Sequence, residues 1–193
     1  MNKLHFKKSL ILFFLLNLTF FLPSKIFAAP GVTAERQAFI TYALGFQGKP
    51  YIRGATGPDA FDCSGYIQYL FINFKSYCRK NNIPVDLDKF PDTFPRIAQD
   101  MYLSEKITKL TGEQIREREP GDLIFFKNLE TGKIQHIGLY LGKSKAHGGK
   151  RVFISAVSDG PATGIVIRTI DEKYWAQRFL CYARFLPRSN NLK

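Results

Sequence analysis

The sequence predicts an α+β fold in which N-terminal helices pack on an antiparallel sheet of five or six strands. Apolar residues recur at helical spacing in the first half of the chain, and short apolar runs separated by turns fill the second half. Because helices come first and a series of short strands follows, an antiparallel sheet is favoured over a parallel one. The chain has 193 residues, 45% of them hydrophobic, which is enough for one domain with a sizeable core.

Two longer helices are predicted in the first half of the chain. Thr33 can cap the first helix, which ends near Gly45. The second helix begins at Cys63, with Asp62 as its N-cap, and ends before Pro84, because the residue preceding a proline is biased away from helix. The start of this second helix therefore carries a cysteine in its first turn.

The second half of the chain is predicted to supply the sheet. Each run is short and apolar, and glycine or proline lies in several of the connections. A short helical turn carrying Trp175 is expected before the last strand. The predicted strands are 123–126, 136–142, 151–157, 165–169 and 180–185.

The first 29 residues have the layout of a secretory signal peptide. Three lysines precede an apolar run from Leu10 to Leu22, and Ala28 and Ala29 supply small residues before a cleavage site. The run is short for a membrane span, so cleavage is favoured over an uncleaved anchor. No cysteine lies near the cut, which excludes a lipoprotein. We predict a signal peptide at 1–29, a single domain at 30–193, and a protein exported to a periplasm or secreted.

The composition is strongly basic. The formal net charge is +12, and because the first 29 residues hold four lysines and no acidic residue, the remainder carries +8. Such a surface suits an anionic cell-wall polymer or a membrane surface, although a solvated basic surface without a specific partner is equally compatible. No basic block interleaved with aromatic residues is present, so no nucleic-acid partner is expected. We expect the protein to act as a monomer.

The three cysteines give the chain at least one free thiol in an oxidising compartment, because their number is odd. Cys63 is the natural candidate for it. Cys78 and Cys181 either pair or remain buried and reduced, and the sequence leaves both open. The spacing of Cys63, His136 and His147 does not resemble a zinc site.

Cys63 and His136 are the candidates for nucleophile and base. The free N–H groups and the dipole at a helix start favour a thiolate, which predicts a lowered pKa for Cys63. A thiolate needs a base that also protonates the leaving group. His136 begins an apolar strand, where its side chain can project towards the helix start, although it could equally be a structural histidine. His5 lies in the signal peptide, and His147 lies in a glycine-flanked loop.

Four blocks of sequence carry a family resemblance. The blocks are 49–54 (KPYIRG), 61–68 (FDCSGYIQ), 120–126 (PGDLIFF) and 136–142 (HIGLYLG). In this order, they resemble segments of the NlpC-type family of papain-like cell-wall cysteine peptidases. The similarity extends from about residue 35 to residue 185, and the order of four separate blocks makes it specific.

The resemblance implies a papain-like fold and hydrolysis of an amide bond in peptidoglycan stem peptides, most often between D-glutamate and meso-diaminopimelate, with peptidoglycan as partner and no cofactor. It implies that Cys63 is the nucleophile and His136 the base. Tyr51, Asp62 and Ser64 match positions near the substrate, although Tyr51 could simply pack on its loop and the other two could cap the helix. Alternatives are an N-acetylmuramoyl-L-alanine amidase and a weakly active or non-catalytic wall-binding module.

The third catalytic position departs from the family pattern, in which a polar residue, often histidine, follows on the next strand. His147 lies at the usual distance from His136, but two glycines follow it, which suits a loop. Aligning the strand itself places Ser155 at the position, and we predict Ser155. Its hydroxyl can accept a hydrogen bond from imidazole but supplies no charge.

Overall fold

Residues 32–160 and 162–189 are described by a computed structural model. The predicted signal peptide lies outside these residues. Four α-helices are present in the described part: α1 (Ala34–Leu44), α2 (Cys63–Lys80), α3 (Ala98–Leu103) and α4 (Lys173–Arg178). None of them is long and apolar enough to span a membrane.

Six strands form one antiparallel sheet with the order β1-β6-β2-β3-β4-β5. This confirms the predicted α+β class and the predicted sheet. The three-residue β1 was not predicted. The strands are β1 (Thr108–Leu110), β2 (Leu123–Lys127), β3 (Ile134–Ser144), β4 (Lys150–Val157), β5 (Gly164–Thr169) and β6 (Phe179–Arg184).

The two faces of the sheet carry different cores, because successive side chains of a strand point to opposite faces. Ile137 and Leu139 of β3 join the main core, which α1 and α2 cover with closely packed phenylalanines. A smaller, aromatic core lies on the other face and contains Tyr140, Phe153 and Trp175. The side chains of β3 therefore reach two separate environments.

Both predicted N-caps are present. The Thr33 hydroxyl accepts a hydrogen bond from the N–H of Arg36 at 3.3 Å, and Oδ1 of Asp62 accepts one from the N–H of Gly65 at 2.6 Å. These bonds satisfy donors that have no partner within the helix. The start of α2 is thus fixed at Cys63.

A buried ion-pair network joins α1 to the start of β2. Arg36 and Asp122 are both fully buried, with Nη1 2.9 Å from Oδ1, and Arg184 donates to the same carboxylate. Nη1 of Arg36 also donates to the Pro120 carbonyl. The Pro120–Asp122 turn therefore anchors the sheet to the helical layer.

The second and third cysteines are free thiols buried in the main core. Cys78 and Cys181 do not pair, so the buried, reduced alternative is the correct one. Burial raises the pKa of each thiol to about 11. Neither is suited to act as a nucleophile at neutral pH.

Candidate active site

Cys63 lies where the 48–61 loop meets the first turn of α2. The loop closes on the helix through the N–H of Asp62, which donates to the Ala55 carbonyl at 3.0 Å. Gly65 permits this approach, because a Cβ at that position would lie 2.1 Å from the Ala55 oxygen. The thiol is consequently held between the loop, the helix start and strand β3, whose Ile137 N–H faces the sulfur.

Asp62 and Ser64, which flank the nucleophile, are tied together by Arg96. The guanidinium donates to both carboxylate oxygens of Asp62, at 3.1 and 2.6 Å, and to the Ser64 hydroxyl at 2.9 Å. Burial raises the pKa of Asp62, but Arg96 and the N–H groups of Gly65 and Gly54 outweigh this effect and hold the pKa below its usual value. Asp62 is therefore an ionised helix cap.

Arg96 is a site residue that the sequence reasoning missed. It lies in a proline-containing loop before α3, and only its charge distinguishes it there. One third of its side chain is exposed, against 13% for Asp62. Within this cluster, Arg96 is the group best placed to meet a ligand.

The predicted lowering of the Cys63 pKa is wrong. Burial and the negative charge of Asp62 raise it, and the backbone N–H groups of Ile137, Ser64 and Cys63 offset only part of that rise. The free energy lost when a thiolate is removed from water is larger than the stabilisation that these N–H donors provide. Cys63 is therefore a protonated thiol at neutral pH.

His136 lies in an aromatic cage on the smaller core. Its ring centroid is 4.9 Å from that of Trp175, 5.8 Å from Phe126 and 6.5 Å from Phe153. Nε2 is buried and has no hydrogen-bond partner among the described residues. Burial lowers the pKa of His136 to about 4, so the imidazole is neutral at pH 7.

The predicted hydrogen bond between Ser155 and His136 is not formed. Ser155 is fully buried on β4, and its hydroxyl donates to the carbonyl of Ile137 at 2.6 Å. Ser155 thus fixes the backbone next to His136, and the imidazole is surrounded by aromatic side chains instead of being hydrogen-bonded to Ser155. His147, the alternative, lies in the β3–β4 hairpin, where Nδ1 is 2.9 Å from the Ser144 hydroxyl, so placing it in a loop is confirmed.

A cavity of about 460 Å³ opens beside His136. Tyr51 forms part of its wall, and the loop carrying Tyr51 is held against β5 by hydrogen bonds between Gly48 and Ile165 (2.9 Å) and between Ile165 and Lys49 (2.8 Å). Its walls contain the aromatic residues Tyr51, Phe126, Tyr174 and Trp175 together with several charged side chains. Among the described residues, no group of three or more His, Cys, Asp or Glu side chains is placed to hold a metal ion.

A thiol at a helix start, next to a histidine-bearing strand of an antiparallel sheet, is the arrangement of papain-like domains. A sequence profile of the NlpC/P60 family matches residues 48–184. The chain therefore belongs to the NlpC/P60 family.

Individual relatives agree with this assignment. The chain is 32% identical over 142 residues to the probable endopeptidase YafL of Escherichia coli strain K12. The aligned region covers 72% of this chain and 45% of YafL. It is 30% identical over 136 residues to the murein DD-endopeptidase MepH of the same strain, covering 69% of this chain and 40% of MepH. The chain thus spans less than half the length of these relatives.

A solved structure shows the same fold at lower identity. An NlpC/P60 family protein from Bacillus cereus ATCC 10987 matches with a TM-score of 0.56 and 20% identity, over 82% of this chain and 42% of that protein. The papain-like fold predicted from the sequence blocks is confirmed.

Proposed function

We propose that this protein is an exported cysteine endopeptidase that hydrolyses an amide bond in peptidoglycan stem peptides, between D-glutamate and meso-diaminopimelate. The observation that carries the proposal is the placement of Cys63 at the start of α2, against the β3 backbone at Ile137, the residue that follows His136 in the chain. The name of YafL supports an endopeptidase, and that of MepH, a murein endopeptidase, supports action on the cell wall. The predicted signal peptide supports action in a periplasm or outside the cell.

The first step requires proton transfer, because both groups are neutral at rest. His136 takes the proton of the Cys63 thiol as the sulfur attacks the carbonyl carbon of the substrate. A desolvated imidazole with its pKa near 4 is a weak base. The transfer nevertheless proceeds, because the thiolate reacts with the carbonyl carbon as it forms. The imidazolium then gives its proton to the leaving group. The N–H groups of Cys63 and Ser64, which face the sulfur, can donate to the oxyanion of the tetrahedral intermediate.

The second step releases the amine. The imidazolium of His136 protonates the leaving nitrogen, the C–N bond breaks, and a thioester remains on Cys63. Water, deprotonated by the same imidazole, then attacks the thioester and regenerates the thiol. On this route Arg96, which lies on the Cys63 side of the site, meets the acyl part of the substrate, whereas the leaving part lies at His136.

Digestion of purified sacculi tests the proposal. The mature protein is expected to release peptides that begin with diaminopimelate and to leave L-alanyl-D-glutamate on the glycan. Chromatography and mass spectrometry of the soluble and muramidase-solubilised fractions identify both products.

The same digest separates the competing functions. Whole stem peptides and bare glycan would indicate an amidase. Cleavage of cross-links alone would indicate a bond between two D-centres, which the name of MepH favours as the second candidate. Sacculi that bind the protein but remain intact would indicate a wall-binding module and contradict the enzymatic proposal.

The acidic limb of the pH profile is expected near pH 4. Protonation of His136 removes the base, and burial holds its pKa at about 4, so activity should persist as the pH falls through 6.5 and decline only around pH 4. The measurement is kcat/KM for a soluble muropeptide between pH 3.5 and 8, with tryptophan fluorescence confirming that the protein stays folded.

Trp175→Ala supplies the comparison for this prediction. Removing the indole exposes the imidazole to water, so the midpoint of the acidic limb should rise towards the ordinary histidine value of about 6.5. A parent protein that already loses activity around pH 6.5 would show that the cage does not hold His136 neutral.

A further inference from the structure

The cavity beside His136 is cationic. Four basic and two acidic side chains contribute to its walls, which leaves an excess of positive charge around the neutral imidazole. The basic residues are Arg53, Lys127, Arg168 and Arg178, and the acidic ones are Asp159 and Glu172. In the described part of the chain, none of the four basic groups forms an ion pair with a carboxylate.

The two acidic groups are already engaged locally. Oδ1 of Asp159 accepts the N–H of Gly160 at 2.6 Å, and Oε1 of Glu172 accepts the Thr169 hydroxyl at 3.1 Å. Among the described residues, the four cationic groups therefore have no carboxylate partner. Buried or half-buried guanidinium groups in that state bind carboxylates through charge-assisted hydrogen bonds.

Two of the three arginines of the cavity wall, Arg168 and Arg178, are held in place by neighbouring groups. The guanidinium carbon of Arg178 lies 3.8 Å from the centroid of the Tyr174 ring, and its Nε is buried without a partner among the described residues. The guanidinium of Arg168 donates through Nη2 to the Ala162 carbonyl, which is the one side-chain hydrogen bond of Arg168 to a described residue. Both keep further N–H donors available for a ligand, at little cost in side-chain ordering.

The position of the cavity decides which part of a substrate it receives. His136 must protonate the leaving amine, so the residue released has to lie against the imidazole. The cavity extends from His136 to Arg168 and Arg178, and Cys63 does not contribute to its walls. The acyl side of the scissile bond lies instead at Cys63 and the neighbouring Arg96.

We infer that this cavity binds the leaving residue of the substrate through a carboxylate, with Arg168 and Arg178 as its specificity-determining residues. The inference rests on the proposed function for the identity of that residue. A leaving residue with a second carboxylate, such as diaminopimelate, should be preferred over lysine, which has the same amine and a similar chain but lacks that carboxylate. Glutamate also has two carboxylates and is the alternative leaving residue that could supply the bound carboxylate.

Trp175 supplies the readout, because it is the only tryptophan of the chain and part of the cavity wall. In the mature Cys63→Ala protein, which cannot turn over, titration with meso-diaminopimelate, glutamate and lysine is followed by tryptophan fluorescence. We expect saturable binding of meso-diaminopimelate, tighter than that of lysine by about 10-fold or more, the scale of one hydrogen bond between charged groups. Tighter binding of glutamate than of diaminopimelate would identify glutamate as the leaving residue.

Arg168→Gln and Arg178→Gln, each placed in the same background, should weaken diaminopimelate binding by about 10- to 100-fold and leave lysine binding nearly unchanged. Arg116→Gln is the matched control, because Arg116 is exposed and lies outside the cavity. It removes the same charge and should have no effect on either ligand.

Equal affinities for diaminopimelate, glutamate and lysine, no saturable change with any of them, or an equal loss in Arg116→Gln would overturn the inference. These outcomes are independent of the sacculus digest. Active protein without carboxylate selectivity would refute the cavity's role alone, whereas selective binding by a protein that cleaves nothing would refute the proposed function alone.

Discussion

Cys63→Ala is expected to lower the rate of stem-peptide hydrolysis by about 10⁴-fold or more, because it removes the atom that forms the thioester. The other two thiols cannot substitute for it, since Cys78 and Cys181 are buried in the main core and burial raises the pKa of each to about 11. The rate is measured as peptide released from purified sacculi, quantified by chromatography.

Cys78→Ala is the matched control for this prediction. It also removes one thiol, but from the far end of α2, and should leave hydrolysis within a few-fold of the parent rate. Iodoacetamide labelling followed by peptide mass mapping should modify Cys63 in the parent, faster as the pH rises, because its pKa is raised. Full activity of Cys63→Ala would refute the cysteine mechanism.

Local sequence rules were sufficient for the elements that position the nucleophile. Both N-caps, at Thr33 and Asp62, and the start of α2 follow from side chains that accept hydrogen bonds from N–H groups three residues away. The longer strands follow from apolar runs. β1 was not predicted, because its three residues are too few to show an apolar periodicity. They belong to the sheet only through their pairing with β6.

The environment of the site depends on contacts between distant segments, and there the sequence rules failed. The cage around His136 is completed by Trp175, which comes from α4. The residues near His136 in the sequence therefore indicate neither its lowered pKa nor the missing partner of Nε2. The same holds for Cys63, whose burial reverses the effect expected from the helix start. Arg96 was missed because its partner, Asp62, lies on another element.

Ser155 illustrates the limit of aligning a strand. Ser155 lies on β4, which pairs with β3, so the strand predicted at 151–157 is confirmed. The predicted hydrogen bond to His136 is not formed, because the Ser155 hydroxyl is directed at the Ile137 carbonyl, to which it donates at 2.6 Å. Gly138 makes that approach possible, since a Cβ there would lie 3.2 Å from the Cβ of Ser155.

Asp122→Ala is expected to reduce the free energy of unfolding by about 3–5 kcal/mol, the typical cost of breaking a buried ion pair. Asp122 lies in one of the blocks that carry the family resemblance, yet its contacts are structural. Its carboxylate is fully buried and accepts hydrogen bonds from Arg36 at 2.9 Å, Arg184 at 3.1 Å and the N–H of Glu119 at 2.8 Å. The substitution leaves the fully buried guanidinium of Arg36 with Glu119 as its nearest carboxylate, at 3.3 Å. Urea unfolding followed by circular dichroism measures the change.

Asp171→Ala tests whether burial, and not the ion pair itself, sets this cost. Asp171 pairs with Arg151 at the surface, where each side chain is about one third exposed, and exposed pairs contribute about 1 kcal/mol or less. An equal loss of stability in the two variants would contradict the argument, because it would mean that water or Glu119 compensates the Arg36 charge once Asp122 is removed. A much larger loss of stability in Asp122→Ala than in Asp171→Ala would show that Asp122 links α1 to the sheet. This link keeps α2 and Cys63 in place over β3.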